Sequence, residues 1–522
     1  MMMTMLQPQS PPSALRNRPR RIRLWLPAAV LLLLLLAVSG VLASSPNARV
    51  APDSYEGVAV NGSQASALVG ADVNDLFVYV YHAATTTWAI IPFQVDEVDA
   101  SGYYTTTDQI PTFDANDEIA FMVSDLGDQA PAWAWLLTSD RLTLPRVEVK
   151  VADPANPANA AYAYIVRSQD ALALAPADYV AYSTVDKTFD TSDYLAGLSP
   201  LAPGSSGWHP GLEKLRIKKY TPTPQDILDR THIRIGIRPR ILGICFPAQY
   251  LCEEQLAQYL PPDFDLEPTK DGPVRIVGGG PVTPTLFYRS SLYVSSSLDL
   301  SALASDPNVC SITYMRVTFD LRDPNQSAFA PATYYDSAGS TDPVNGSPPG
   351  AAITGAPRSW VQYSGSQGSV VILDSLTATG GTRAHYYRDN STAGTCTEGA
   401  DPGSSGSYGE SGTEITNPTG MLGIVFAGVI QPPTAGPIGA PIRSNLDNPL
   451  QKTASTQYLC SVADIDGNHH VDVTGDIVPA ANAWSCSSGD ACYVAAADTN
   501  HDGTVDIDDV QLVSACFGWA LP

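Results

Sequence analysis

The chain has 522 residues, of which 53 are acidic and 29 basic, for a formal charge of -24; 44% are hydrophobic. So acidic a surface repels nucleic acid and anionic membranes, and neither is expected as a partner. The length exceeds what one hydrophobic core serves, so two or three domains are expected.

At the N-terminus, Arg16, Arg18, Arg20, Arg21 and Arg23 precede the apolar stretch "LWLPAAVLLLLLLAVSGVLA". This is the layout of a secretory signal, residues 1–43, cleaved after Ala43. An uncut anchor is the alternative, since the stretch is long enough to span a bilayer. Cleavage removes five basic and no acidic residues and moves the charge to -29. The exported chain is expected outside the cell, secreted or held at the cell surface by its partners, with no further membrane-spanning run.

From about residue 55 to 450 the text breaks into short segments such as "LFVYVYH", "RVEVKVA", "HIRIGI", "SITYMRVTFDL" and "GIVFAGVI". Period-two runs of β-branched and aromatic residues between Gly and Pro predict antiparallel sheets. The fold class is therefore mainly β: one or two β-sandwich-like domains, then a small helical module. A Pro/Gly/Ser cluster at 195–211 divides an N-terminal domain, 44–200, from a second, 201–450, leaving 451–522 for the module. Within the second domain "TEGADPGSSGSYGESGTE" reads as a long flexible loop, and "QPPTAGPIGAP" as an edge strand or a linker.

Residues 96 to 128 carry nine carboxylates and no Lys or Arg. Asp96, Glu97, Asp117 and Glu118 supply a glycosidase acid and base if two of them face one cleft, and "DANDE" a cation site. Two solvated turns flanking strands are the plainer reading. Further on, residues 211–240 hold eight of the 24 basic residues left after cleavage. In "THIRIGIRPR" Ile233, Ile235 and Ile237 point one way, and His232, Arg234, Arg238 and Arg240 the other. Such a row attracts anionic sugars such as uronates, and a lyase there would draw its base from His232 or Tyr220. An edge strand charged against aggregation, or one paired with the acidic segment, accounts for it equally.

All eight cysteines follow residue 43 and suit four disulfides in an oxidising compartment. Eight cysteines allow 105 connectivities, which the sequence leaves open; a nearest-neighbour guess pairs Cys245–Cys252, Cys310–Cys396, Cys486–Cys492 and Cys460–Cys516.

The sharpest signal is "DTNHDGTVDIDD", residues 498–509. A calcium loop needs hard oxygen ligands at alternate positions, a glycine at the sharp turn and a carboxylate at position 12. Here these are Asp498, Asn500, Asp502, Thr504 through its carbonyl, Asp506 and Asp509, with Gly503 at the turn; "DVQLVSACFGW" should follow as a helix with Val510, Val513 and Phe517 on one face. The pattern recurs 34 residues earlier as Asp464, Asp466, Asn468, His470 and Asp472. There His469 takes the turn, Gly475 stands at position 12 and the carboxylate, Asp476, comes one residue late. Either Gly475 bulges to deliver Asp476, or that loop is weak; on spacing alone Asp509→Ala should weaken calcium binding more than Asp476→Ala.

Two loop-helix repeats, each closed by Asp where an ordinary EF-hand has Glu, resemble the dockerin module over residues 460–519. The resemblance implies a calcium-dependent fold that plugs into a cohesin domain on a scaffold or surface protein, with Val473, Thr474, Ile507 and Asp508 choosing the partner. The four cysteines in this segment depart from the family's pattern. Dockerins usually carry carbohydrate-active partners, so the β-rich domains are expected to act on polysaccharide, as glycosidase or lyase, or to bind it. The rival is a non-catalytic adhesion or structural protein whose tail is a calcium-stabilised, disulfide-clasped domain.

Overall fold

In the computed structural model the described residues are 49–107, 110–200, 208, 211–251, 268–280, 283–325, 327, 329–392 and 406–521. The expected secretory segment, Cys252, Cys396 and the first part of the flexible-loop segment lie outside them. Among the described residues no helix is long and apolar enough to cross a membrane.

The chain is mainly β, as its alternation predicts. Two sheets are built from the N-terminal third: Gly57–Asn61, Glu118–Met122, Phe93–Val98 and Tyr104–Thr105 in one, and Arg146–Asp153, Asn156–Arg167, Leu76–His82 and Thr87–Ile90 in the other. They close over Val58, Val60, Ile119 and Phe121 from the first and Val78, Val80, Val149 and Ile165 from the second. Interleaving alternate residues of two sheets in this way makes a sandwich core. The edge of the second sheet is completed by Gln451–Gln457, paired along Arg146–Asp153. The start of the expected C-terminal module therefore lies in the N-terminal sheet, and Arg49–Pro522 forms one compact unit.

A second sandwich packs the sheet of Val180–Ser183, Thr188–Thr191, Tyr194–Gly197 and Lys214–Ile217 on a thirteen-stranded sheet. Phe189 and Phe287 stack across the gap, with centroids 3.7 Å apart. The spine of the large sheet is Ser407–Gln431, paired along one edge with Gly368–Asn390 and along the other with Ser291–Asp299 and then Val309–Leu321. This corrects the flexible-loop expectation for 407–414, which begin the spine strand; Ser407, Glu410, Ser411 and Thr413 are buried. Gly412 is required there, since a Cβ would lie 2.1 Å from the Val317 carbonyl oxygen. Glycines that read as loop in the text are the condition for close strand approach. Likewise "QPPTAGPIGAP" is neither strand nor linker alone, for it leads into a helix, Gly439–Asp447, whose Ile442 is buried beside Trp360.

Cys245 bonds Cys310, which overturns both Cys245–Cys252 and Cys310–Cys396. Strand pairing of Val309–Leu321 on Leu228–Ile241 carries Cys310 to the hairpin that holds Cys245, a proximity that chain distance does not reveal. Cys460–Cys516 and Cys486–Cys492 are present as expected.

Deep in the second core, the Tyr334 hydroxyl and His385 Nε2 lie 2.9 Å apart. Burial, with Arg358 nearby and opposed by Asp336, lowers the His385 pKa from its ordinary 6.5 to about 4. In that interval the unfolded chain binds a proton that the folded chain does not, so stability falls as pH drops from 6.5 towards 4. At roughly 1.4 kcal/mol per unit the loss reaches about 2–3 kcal/mol. Denaturant melts at pH 7 and 4.5 should show wild type losing that much more than His385→Gln; parallel losses would refute it.

Candidate metal centres

Both C-terminal repeats fold as loop followed by helix. In the second, Gly503 turns at φ 93° and the Asp498 carboxylate accepts the amides of Asp502 and Gly503 at 3.2 and 3.0 Å. Asn500 Oδ1 accepts from the Asp502 amide, and Asp502 Oδ1 from that of Thr504. Asp506 caps the helix Ile507–Ala515. Its third residue, Asp509, is buried and folds back to accept the amides of Thr499, Asn500 and Asp506, at 2.8, 3.3 and 2.8 Å. Val513 is buried and Val510 partly so, but Phe517 lies beyond the helix end and is 59% exposed, a correction to the expected apolar face.

The first repeat reaches the same arrangement by a different backbone path. Asp464 accepts the amides of Asn468 and His469, and His469 turns at φ 65°, a conformation open to His at modest cost. Asp472 caps the following turn through Thr474 and Gly475. Val473–Ile477 is a π-turn, followed by the α-helix Val478–Asn482. A π-turn absorbs one extra residue. It therefore carries the late carboxylate inward, and Asp476 accepts the amides of Ile465, Asp466 and Asp472. Counted from Asp464 and from Asp498, these are the same three donors that serve Asp509. At Gly475 a Cβ would lie 2.2 Å from a carboxylate oxygen of the exposed Asp466, so a side chain there would push that carboxylate aside.

Oxygens of Asp464, Asp466 and Asp476 all lie within 4.8 Å of one another, a hard-oxygen set of the kind calcium takes. The repeats also exchange their ends. Val471, in the first loop, pairs with Gly518 and Trp519 after the second helix, and Val505, in the second, with Ser485 and Cys486 after the first. His470 bridges Ala520 and Thr504 bridges Ser487. Val473, Thr474, Ile507 and Asp508 are exposed.

The basic row is not a surface. His232 and Arg234 are buried on Leu228–Ile241, while Ile233 and Ile235 enter the core on the other side as the alternation predicts. Arg234 lies 2.9 Å from His232 Nδ1 and 3.5 Å from Glu410, and His232 Nε2 lies 3.4 Å from Asp320. Thr318 and Ser407 donate to Glu410. Burial raises the Asp320 carboxyl, against its bond to His232, whereas at Glu410 the charges of His232 and Arg234 outweigh burial and lower it. Register shifts at Gly236/Ile237 and Arg238/Pro239 break the row, leaving Arg238 and Arg240 exposed at the far end. Tyr220 sits instead against the second core. The polar alternation of Arg316, Thr318 and Asp320 on the neighbouring strand was the signal for this network; Glu410 was hidden in a loop-like stretch.

The acidic segment does carry exposed turns between its strands, at residues 99–103 and 114–116, but Asp96 and Asp117 are buried and do not belong to a solvated surface. Asp96 and Glu118 are cross-strand neighbours, both bonded by the buried guanidinium of Arg275, at 2.7 and 2.6 Å. Tyr104 donates to Glu118, and Gln94 to Asp96. Asp117 accepts the amides of Val98 and Asp114, which shapes the "DANDE" turn; Glu97 lies alongside on the strand, half-buried. No protein-family model matches the chain, and a comparison with curated proteins finds no relative.

Proposed function

We propose that the protein is exported and that its C-terminal repeats form a calcium-dependent docking module for a cohesin-type partner, with the β-rich body as cargo. One observation carries the reading: two loops of different length deliver Asp476 and Asp509 to the same three backbone donors, so both offer a closing carboxylate. Calcium would be held by Asp464, Asp466, Asn468, His470, Asp472 and Asp476 in one loop, and by Asp498, Asn500, Asp502, Thr504, Asp506 and Asp509 in the other. It supplies the positive charge that lets these carboxylates sit together. Exposed Val473 and Ile507, each first in its turn, suit a partner that reads the pair.

A second reading has its own support. Leu142 from the N-terminal region packs into the module's core, and Cys460–Cys516 ties the module's ends, as in a purely structural clasp. Calorimetry of the oxidised 44–522 chain against a panel of purified cohesin domains, with calcium or with EDTA, separates the two. Docking predicts calcium-dependent binding that Val473→Asp with Ile507→Asp weakens at least about tenfold, as expected for charge placed in an apolar contact. Calcium uptake with no cohesin bound would leave the clasp.

A further inference from the structure

The strand Gln451–Gln457 closes the edge of the N-terminal sheet in unbroken register, from Gln451 opposite Ala152 to Gln457 opposite Arg146. Its side chains hold it weakly. Ala454 packs on the N-terminal core and Lys452 donates to the Ala59 carbonyl, but Gln451, Thr453, Ser455 and Thr456 are exposed. A segment with so few buried apolar contacts opens locally unless its ends are fixed. Leu450, buried in the N-terminal core, fixes one end.

The other end runs straight into the C-terminal module: six residues, 458–463, separate Gln457 from Asp464, the first residue of the first loop. Tyr458 lies against Trp519, with ring centroids 6.1 Å apart, and the Trp519 carbonyl accepts the amide of Val471 inside that loop. Cys460 is buried and bonded to Cys516. The neighbouring strand reaches the same place. Four residues before Arg146, Leu142 packs into the module's core, and its carbonyl oxygen lies 3.5 Å from Cys460 Sγ. Both chain segments that leave the Arg146–Gln457 end of the ladder therefore meet inside the module. Its core is small, since the buried residues are four alanines, three valines and the Cys460–Cys516 pair. So small an apolar interior needs a metal or added surface to stay folded, and Leu142 adds surface from the N-terminal region.

We propose that calcium uptake by the first loop and closure of the N-terminal sheet are one coupled event, with Leu142 a positioning residue for the metal site. The inference rests on the calcium reading above and holds with or without a cohesin partner. Without the cation, Asp464, Asp466, Asp472 and Asp476 repel one another and loosen the core that grips Leu142 and Cys460. Strand 451–457 then loses its anchor beyond Gln457 and frays from the sheet edge. The linkage is reciprocal: whatever calcium contributes to the attachment of the strand, the attached strand and Leu142 contribute to calcium affinity. The module is thus mounted rigidly on the body it carries, and the body is completed by the metal.

Calcium calorimetry on the oxidised 44–522 chain, joined to hydrogen exchange of peptides covering 146–153, 361–365 and 451–457, tests it. Leu142→Ala should lose about tenfold in calcium affinity, the size expected for truncating a partly buried leucine, and Leu142→Met should stay close to wild type. In wild type, EDTA should speed exchange at least about fivefold in 146–153 and 451–457 and leave 361–365, in the second sandwich, as it was. Should Leu142→Ala not fold, the wild-type exchange decides alone. Unchanged affinity in a folded Leu142→Ala, exchange of 451–457 that calcium does not alter, or acceleration shared equally by 361–365 would overturn the coupling and leave the calcium loops standing. No calcium uptake by wild type would overturn both.

Discussion

Asp476→Ala and Asp509→Ala are expected to weaken calcium binding equally, by about tenfold to hundredfold each, in calorimetry on the oxidised 44–522 chain. Each substitution removes a charged ligand and strands three backbone amides, and an unsatisfied buried donor costs about 1–3 kcal/mol. The loop spacing alone argued that Asp509 should matter more; the π-turn at Val473–Ile477 removes that difference by placing Asp476 on equivalent donors. Chelation should then melt the helix Ile507–Ala515, because Asp498, Asp502, Asp506 and Asp509 repel one another without the cation. The Cys460–Cys516 link closes a loop of 56 residues, a constraint of about 4 kcal/mol on the unfolded tail, so structure should persist after chelation until the disulfide is reduced. One tight and one weak site, or an unaffected Asp476→Ala, would contradict this account.

Arg275→Met is expected to destabilise the whole unit by about 3–5 kcal/mol, because breaking a buried ion pair leaves uncompensated charge. Asp96 is fully buried and would keep Gln94 and, at 3.6 Å, Lys270, but among the described residues Glu118 would keep the Tyr104 hydroxyl and the electrostatic influence of Lys452. Arg275 also donates to the Tyr288 hydroxyl. This network is the polar centre of the contact between the two sandwiches, flanked by Val98, Tyr104 and Val277 on one side and Ala120, Met122 and Val274 on the other. Urea melts should therefore show the two sandwiches losing their common transition rather than one of them softening. Adding Asp96→Asn and Glu118→Gln to Arg275→Met removes the stranded charges and should recover much of the loss. A shift below about 1 kcal/mol in Arg275→Met would show that the network contributes little.

Local periodicity determined a good deal. Alternation of apolar residues, set by the two-residue repeat of a strand, marked Leu76–His82, Arg146–Asp153 and Val309–Leu321 and placed Ile233 and Ile235 on a core face. The spacing of Asp, Asn and Gly marked both C-terminal loops and the helix after Asp509, since the chemistry of such a loop is contained within twelve consecutive residues. Of that module's cysteines, the pair Cys486–Cys492 was legible from its short separation of 6 residues, whereas Cys460–Cys516 joins residues 56 apart that the folding of the two repeats brings together.

What each charged residue faces was decided only by the tertiary structure. Whether a strand's polar side meets water or another sheet depends on pairing across hundreds of residues, and burial converted His232 and Arg234 from a sugar-binding row into partners of Asp320 and Glu410. The same holds for Asp96 and Glu118, whose cation is 179 residues from Asp96, and for Cys245, whose partner arrives on a paired strand. Gly412 reads as loop because a single sequence does not reveal how closely a neighbouring backbone approaches. Arg146 carries no local mark at all: it owes its aromatic cage and its unused donor to Trp88, Trp135 and Tyr164, which only the folded sheet brings around it.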